Sequence, residues 1–214
     1  MASRVIHMAI ASEIIKQVPI KDIDRFILGI ILPDAYNHNI KSAKTSHLKY
    51  TTADGTKRTY KLGWLRTTYA EQLKNDDLYL GYYLHLIQDT IFRYFVYSIH
   101  NWNPHPVGNA ERLHNDYKLL NHHIIEKYNL PNFLIIPDRI EQEPIFNIYP
   151  FDIEQLLADF KSDFEPYNNG STFFFTKEMA DDFIKIATKK CIQEINALKS
   201  GISTFDELEW AWGN

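Results

Sequence analysis

The sequence predicts an all-α fold, a single helical bundle wrapped around one buried central helix at about residues 76–98. Three observations lead there. From Asp76 to His100, apolar and aromatic side chains fall on every side at helical spacing, as expected of a helix enclosed by others. Amphipathic stretches with apolar residues three, four and seven apart recur along the rest of the chain, several of them opened by Asp or Thr at a capping position. The one strand signal is the turn pair Asp54-Gly55, which supports at most a short hairpin.

In chain order, His7, Ile10, Ala11 and Ile14 share one face of a helix over residues 3–17, so His7 points inward. A second helix runs from Ile23 to about Leu32 behind the acceptors Asp22 and Asp24; Pro33 stops it and Asp34 follows at its mouth. Residues 37–61 are polar and form a long loop holding His47; loops of that length inside a domain are usually functional. A helix at about 63–73 leads into the central one, which Asp76 or Asp77 caps. Past the Pro- and Gly-containing loop at 101–108, a helix spans about Asn109 to Tyr128, with an inward stripe of Leu113, Tyr117, Leu120 and Ile124 that His114 flanks. Residues 129–150, with four prolines, form an irregular crossing. Asp152 opens a helix to about Phe164, and Thr176 opens a long one through Leu198, before a tail whose Trp210 and Trp212 dock on the body.

Composition narrows the function. A chain of 214 residues fits one domain, 1–214, able to bury about 70% of its unfolded surface without staples. Net charge is -4 with scattered basic residues, which disfavours nucleic-acid binding through a basic patch and favours a small substrate. No run approaches the roughly 18 apolar residues of a membrane span, and the start carries no apolar export segment, so a cytoplasmic protein is expected. The single cysteine, Cys191, rules out an internal disulfide and a thiolate zinc cluster; a metal here would use imidazoles and carboxylates.

The chemistry starts from Asp89. It shares a face of the central helix with His85, four residues earlier, amid Leu78, Tyr82, Phe92 and Val96. A buried carboxylate needs a cation or several donors. Inward-pointing or helix-mouth polar residues, with the loop histidine, give the set His7, Asp34, His47, His85, Asp89 and His114, sulfur-free and suited to zinc or another divalent ion. The plainer alternative is a set of separately satisfied polar residues, His85 donating to Asp89 and Asp34 acting as a turn residue.

The segments His7-Met-Ala-Ile-Ala, Leu28-Gly-Ile-Ile-Leu-Pro-Asp34, the loop His47, and Gly81-Tyr-Tyr-Leu-His85-Leu-Ile-Gln-Asp89 resemble, in order and spacing, the bacterial zinc-dependent phospholipase C family, more distantly related to fungal zinc single-strand nucleases. The resemblance implies an all-helical phospholipase C-like fold with a metal cluster at the mouth of a cleft. It implies a first zinc site from Asp34, His47, His85 and Asp89, a second ion meeting Asp89 and His7, and a later histidine corresponding to His114. Family features are missing: an amino-terminal tryptophan ligand, a histidine where Arg93-Tyr94-Phe95 stands, and a glutamate where His114 is followed by Lys118, with Asp116 out of helical phase as its substitute. One or two ions are therefore expected.

A metal-activated water would attack a small phosphodiester, and the resemblance implies Asp34 as the catalytic residue that orients or deprotonates it. Arg93 would neutralise phosphate charge or pair with Asp89, and Tyr50 and Tyr60 would border the substrate cleft. A nucleotide phosphohydrolase of the His-Asp type is disfavoured because no His-Asp dipeptide occurs. A non-catalytic helical protein, braced by a structural metal or holding none, is the alternative reading.

Overall fold

The structure is a computed structural model that describes residues 2–37, 45–168 and 170–213; the first part of the expected loop, with His38, lies outside them. It is all-α with one small sheet, as the sequence predicts. The helices are α1 (Arg4–Ile15), α2 (Ile23–Ile31), α3 (Leu62–Thr68), α4 (Ala70–Asn75), α5 (Asp77–Arg93), α6 (Asn109–Tyr128), α7 (Ile153–Asp163) and α8 (Lys177–Lys199).

Local chemistry sets these boundaries. Ser3, Asp22, Asp76, Asp152 and Thr176 each accept a hydrogen bond from an amide in the first turn of the helix they precede. Pro33 cannot continue α2, and the chain tightens into a 3-10 turn, Leu32–Asp34. The helix expected at 63–73 is broken in two at Tyr69, whose buried ring sends its hydroxyl to the Pro144 carbonyl at 3.2 Å. The central helix is shorter than expected: after Arg93 it widens into a π-helical segment, Tyr94–Ile99.

Every residue of α5 except Asp77, Leu80 and Arg93 is buried. It packs most closely against α2, and α3, α4, α8 and the sheet enclose the rest. The α2–α5 crossing is made by two glycines. A methyl added at Gly81 would lie 2.3 Å from the Phe26 carbonyl oxygen, and one at Gly29 would lie 2.1 Å from that of Leu78. This backbone contact brings the end of α2, with Asp34, alongside the turn of α5 that carries His85.

The expected hairpin forms from β1 (Lys49–Thr51) and β2 (Lys57–Tyr60), turning at Gly55 with φ 73°. The tail adds an unexpected third strand, β3 (Trp212–Gly213), antiparallel to β2 with Trp212 opposite Arg58.

Candidate metal centre

Five side chains from four segments meet beside α5: His7 from α1, Asp34 from the turn after α2, His47 from the loop before β1, and His85 and Asp89 from α5. His7, His85 and Asp89 are fully buried, whereas Asp34 and His47 keep 6% and 7% exposure. The site therefore faces solvent on the Asp34–His47 side.

Each imidazole is oriented by a bond to its Nδ1. His85 Nδ1 lies 2.6 Å from the carbonyl of Ile30, in the last turn of α2, where the helix end leaves carbonyls without helical partners. A carbonyl only accepts, so Nδ1 carries the proton and Nε2 is bare. His7 Nδ1 stands 2.7 Å from Gln88 Oε1, with the same consequence. His47 Nδ1 is 3.0 Å from Ser46 Oγ, a hydroxyl able to accept from it or donate to it. The His47 turn is pinned by Tyr82, whose hydroxyl donates to the Ser46 carbonyl, and it closes on Leu48 at φ 53°. A left-handed leucine costs about 1–2 kcal/mol, which the surrounding contacts must offset.

The Nε2 atoms point at one another and at the carboxylates. His85 Nε2 is 3.1 Å from His47 Nε2, and His47 Nε2 is 3.4 Å from Asp34 Oδ1. Asp89 Oδ1 lies 3.5 Å from His7 Nε2, and Oδ2 lies 3.7 Å from His47 Nε2 and 3.9 Å from His85 Nε2. Ligands about 2.0–2.2 Å from a tetrahedral zinc stand roughly 3.3–3.6 Å apart, so these separations are near the edges of a coordination polyhedron. Two overlapping groups, His7/His85/Asp89 and Asp34/His47/His85, each bring one ligand atom per residue within 4.8 Å of the others.

A hydrogen-bonded network of the plainer kind leaves one buried atom of this arrangement unsatisfied. Asp89 accepts from the Ala2 amide at 2.9 Å and the Tyr60 hydroxyl at 3.2 Å, yet it also faces three imidazole nitrogens, and His7 Nε2 has no hydrogen-bond partner among the described residues. A proton at His85 is a poor remedy, because burial, reinforced by the neighbouring His7, pushes that imidazole down to about 3. Burial alone would push Asp89 up, but nearby positive charge and the His7 contact hold it well below the ordinary carboxylate value. Asp34 is likewise held down, against its burial, by His47. Both carboxylates are held in their charged form, and a proton on His85 is not what balances them.

Two other buried carboxylates are satisfied by the protein alone. Asp116 accepts from the amides of Phe173, Phe174 and Phe175 at 2.7–2.8 Å. Glu194 accepts from Tyr83, Ser203 and both the amide and hydroxyl of Thr204 at 2.7–2.9 Å. Asp116 is thus a loop clamp, in keeping with its poor phase as a ligand.

The remaining candidates fall outside the cluster. His114 is exposed on α6, at the edge of the buried stripe, and joins neither group. Arg93 makes no direct pair with Asp89; its Nε donates to the Tyr60 hydroxyl at 3.0 Å, which in turn donates to Asp89. Tyr60 is fully buried, not at a cleft border. Tyr50 pairs with Thr59 in the hairpin, so alternation puts it on the sheet face away from Tyr60, near Asp206 and Glu207.

A family model described as zinc-dependent phospholipase C matches residues 6–157. The chain belongs to the zinc-dependent phospholipase C family. No curated protein and no solved structure matches it. In this zinc-dependent phospholipase C family member the matched span holds all five converging residues together with Tyr60, Arg93 and His114, while α8 and the tail bearing Trp212 lie beyond it. Sequence reasoning missed Gln88, Ser46, the Ile30 carbonyl and the Ala2 amide. Of these only Gln88 left a trace in the sequence, a glutamine beside Asp89 inside an otherwise apolar helix.

Proposed function

We propose that this chain is a metal-dependent phosphoester hydrolase of the phospholipase C type, cleaving a small phosphodiester and working as one unit over 1–214. The observation that carries the reading is the convergence of three imidazole Nε2 atoms and two carboxylates at 3.1–3.9 Å, with His7 Nε2 left unpartnered among the described residues. One or two divalent ions, zinc by the family's description, would be held by His7, His85 and Asp89 and by Asp34, His47 and His85. Such an ion supplies Lewis acidity at a phosphoester oxygen and brings a coordinated water toward a pKa of about 7.

The protein's own groups do the remainder. Ile30 and Gln88 hold His85 and His7 in the tautomer that presents Nε2, and the Ser46 hydroxyl is placed to accept from His47 in the same way. Asp34 is the cluster carboxylate that keeps exposure, and we assign it to holding the attacking water and taking its proton. Among the described residues no helix is long and apolar enough to cross a membrane.

A bracing ion without catalysis is the competing reading, favoured by the complete burial of His7, His85 and Asp89. Elemental analysis of the purified protein with its His85→Ala and Asp89→Ala variants, beside a phosphodiesterase screen, separates the cases. We expect stoichiometric metal and turnover in the parent and loss of both in the variants. Metal without turnover on any phosphodiester would favour bracing, and a metal-free parent whose variants behave identically would remove both readings.

A further inference from the structure

We propose that Tyr60, Arg93 and Trp212 form a positioning chain from the carboxyl-terminal strand to Asp89, and that this chain sets how tightly the centre holds its metal. The inference rests on the metal reading above and assigns a task to a part of the molecule outside the family match.

The chain has a direction. An arginine can only donate, so the Arg93 Nε–H at 3.0 Å occupies a lone pair on the Tyr60 hydroxyl oxygen. The phenol's own proton is then left for Asp89 Oδ2, 3.2 Å away. Tyr60 is fully buried, so bulk water does not compete for that proton. This bond fixes the Asp89 carboxylate plane and occupies one side of Oδ2, while the same oxygen also lies near His47 and His85.

Arg93 is held from two further sides. Its Nη1 donates to the Tyr97 hydroxyl at 3.3 Å, and Tyr97 belongs to the π-helical segment that begins just after Arg93. Its guanidinium lies 4.5 Å from the centre of the Trp212 ring, the separation of a cation–π contact. Trp212 also packs on Tyr60, with ring centroids 5.1 Å apart, and is held by the pairing of β3 with β2. The tail strand is thus a wall of the metal centre at one remove, and Arg93 and Tyr60 act through Asp89 rather than on substrate.

The test measures zinc affinity by competition with a chromophoric chelator, alongside the thermal midpoint of the metal-free protein. Tyr60→Phe keeps the ring and deletes one hydroxyl; Arg93→Met deletes the donors, with Arg93→Lys as the arm to use if Met prevents folding; Trp212→Ala is compared with Trp212→Phe. We expect Tyr60→Phe and Arg93→Met each to weaken zinc binding about 10-fold or more, the usual scale for groups that orient metal ligands, with the metal-free midpoint little changed. Trp212→Ala should weaken it less and Trp212→Phe should restore it. Because Arg93 acts through the Tyr60 hydroxyl, the double variant should bind no more weakly than Tyr60→Phe alone. Parent-like affinity in Tyr60→Phe, additive losses in the double variant, or losses that merely track the metal-free midpoint would overturn the chain. A parent that binds no zinc would overturn the metal reading along with it.

Discussion

His47 and His85 face each other through Nε2 atoms 3.1 Å apart, while each imidazole turns its Nδ1 to a different neighbour, Ser46 in one case and the Ile30 carbonyl in the other. One comes from a loop and the other from the most enclosed helix of the bundle. Two imidazoles so aimed, with both carboxylates beside them, are reconciled by a proton shared between the two nitrogens or would be by a cation placed among them.

Gln88 should control His7 without touching substrate. Gln88→Leu removes the acceptor on His7 Nδ1 and frees the ring to take the other tautomer, in which Nε2 is protonated and unable to bind metal. We expect a 10- to 100-fold loss of zinc affinity, roughly the range for lost orienting partners, with helical circular dichroism unchanged; a Gln88→Glu variant that keeps the acceptor should bind more tightly than Leu. Equal affinity in the parent and Gln88→Leu would show that His7 is not a ligand.

Gly81→Ala tests the backbone crossing that aligns Asp34 with His85. Alanine gains about 1 kcal/mol in helix propensity over glycine. Its methyl, however, would sit 2.3 Å from the Phe26 carbonyl oxygen, a backbone atom that moves only if α2 and α5 separate. Overpacking typically costs about 1–3 kcal/mol and occasionally more, so net destabilisation is expected in urea unfolding, accompanied by weaker metal binding. A stabilised variant would mean the crossing has slack.

Acid should destabilise the metal-free protein, and His85 fixes the sign. Its folded value, pushed by burial from 6.5 to about 3, means that the unfolded chain binds the proton first. Its contribution is therefore complete above about 6.5 and is lost progressively as pH falls toward 3. Asp89 and Asp34, both held below 3.8 in the folded state, act in the same direction at lower pH. Urea midpoints of chelator-treated protein at several pH values check this; the His85→Ala variant should show a flatter dependence between 6.5 and 3.

Asp116→Asn should separate stability from the metal centre. The neutral side chain replaces one carboxylate oxygen with a donor, opposite amides of Phe173–Phe175 that also donate. A cost of about 1–3 kcal/mol is expected, with faster amide exchange in that loop and unchanged zinc affinity. A change in metal content would place Asp116 in the centre after all.

Much of the centre was legible because its residues obey local rules. His85 and Asp89 share a helical face by spacing, His7 lies on an apolar stripe, and Pro33 fixes where Asp34 must stand. His114 misled because a place at the edge of an apolar stripe does not decide burial: Asn121, two turns on at nearly the same angle, is buried while His114 is exposed. Tyr50 misled because a polar loop does not reveal strand register, and register decides which face a side chain takes.

Periodicity, capping and the cost of burying charge are local properties, so the order of residues was enough to establish the helical class, the capped starts of α2, α5, α7 and α8, and an enclosed carboxylate that requires compensation. It took folding in three dimensions to make Ile30, Gln88 and Ser46 orient the imidazoles, to stand Tyr60 between Arg93 and Asp89, and to bring Trp212 back from the end of the chain over Arg93. Those contacts join residues as far apart as Asp89 and Ala2, or Trp212 and Arg58, and no periodicity links such positions; only packing such as the glycine crossing of α2 and α5 and the pairing of β3 with β2 brings them within bonding distance.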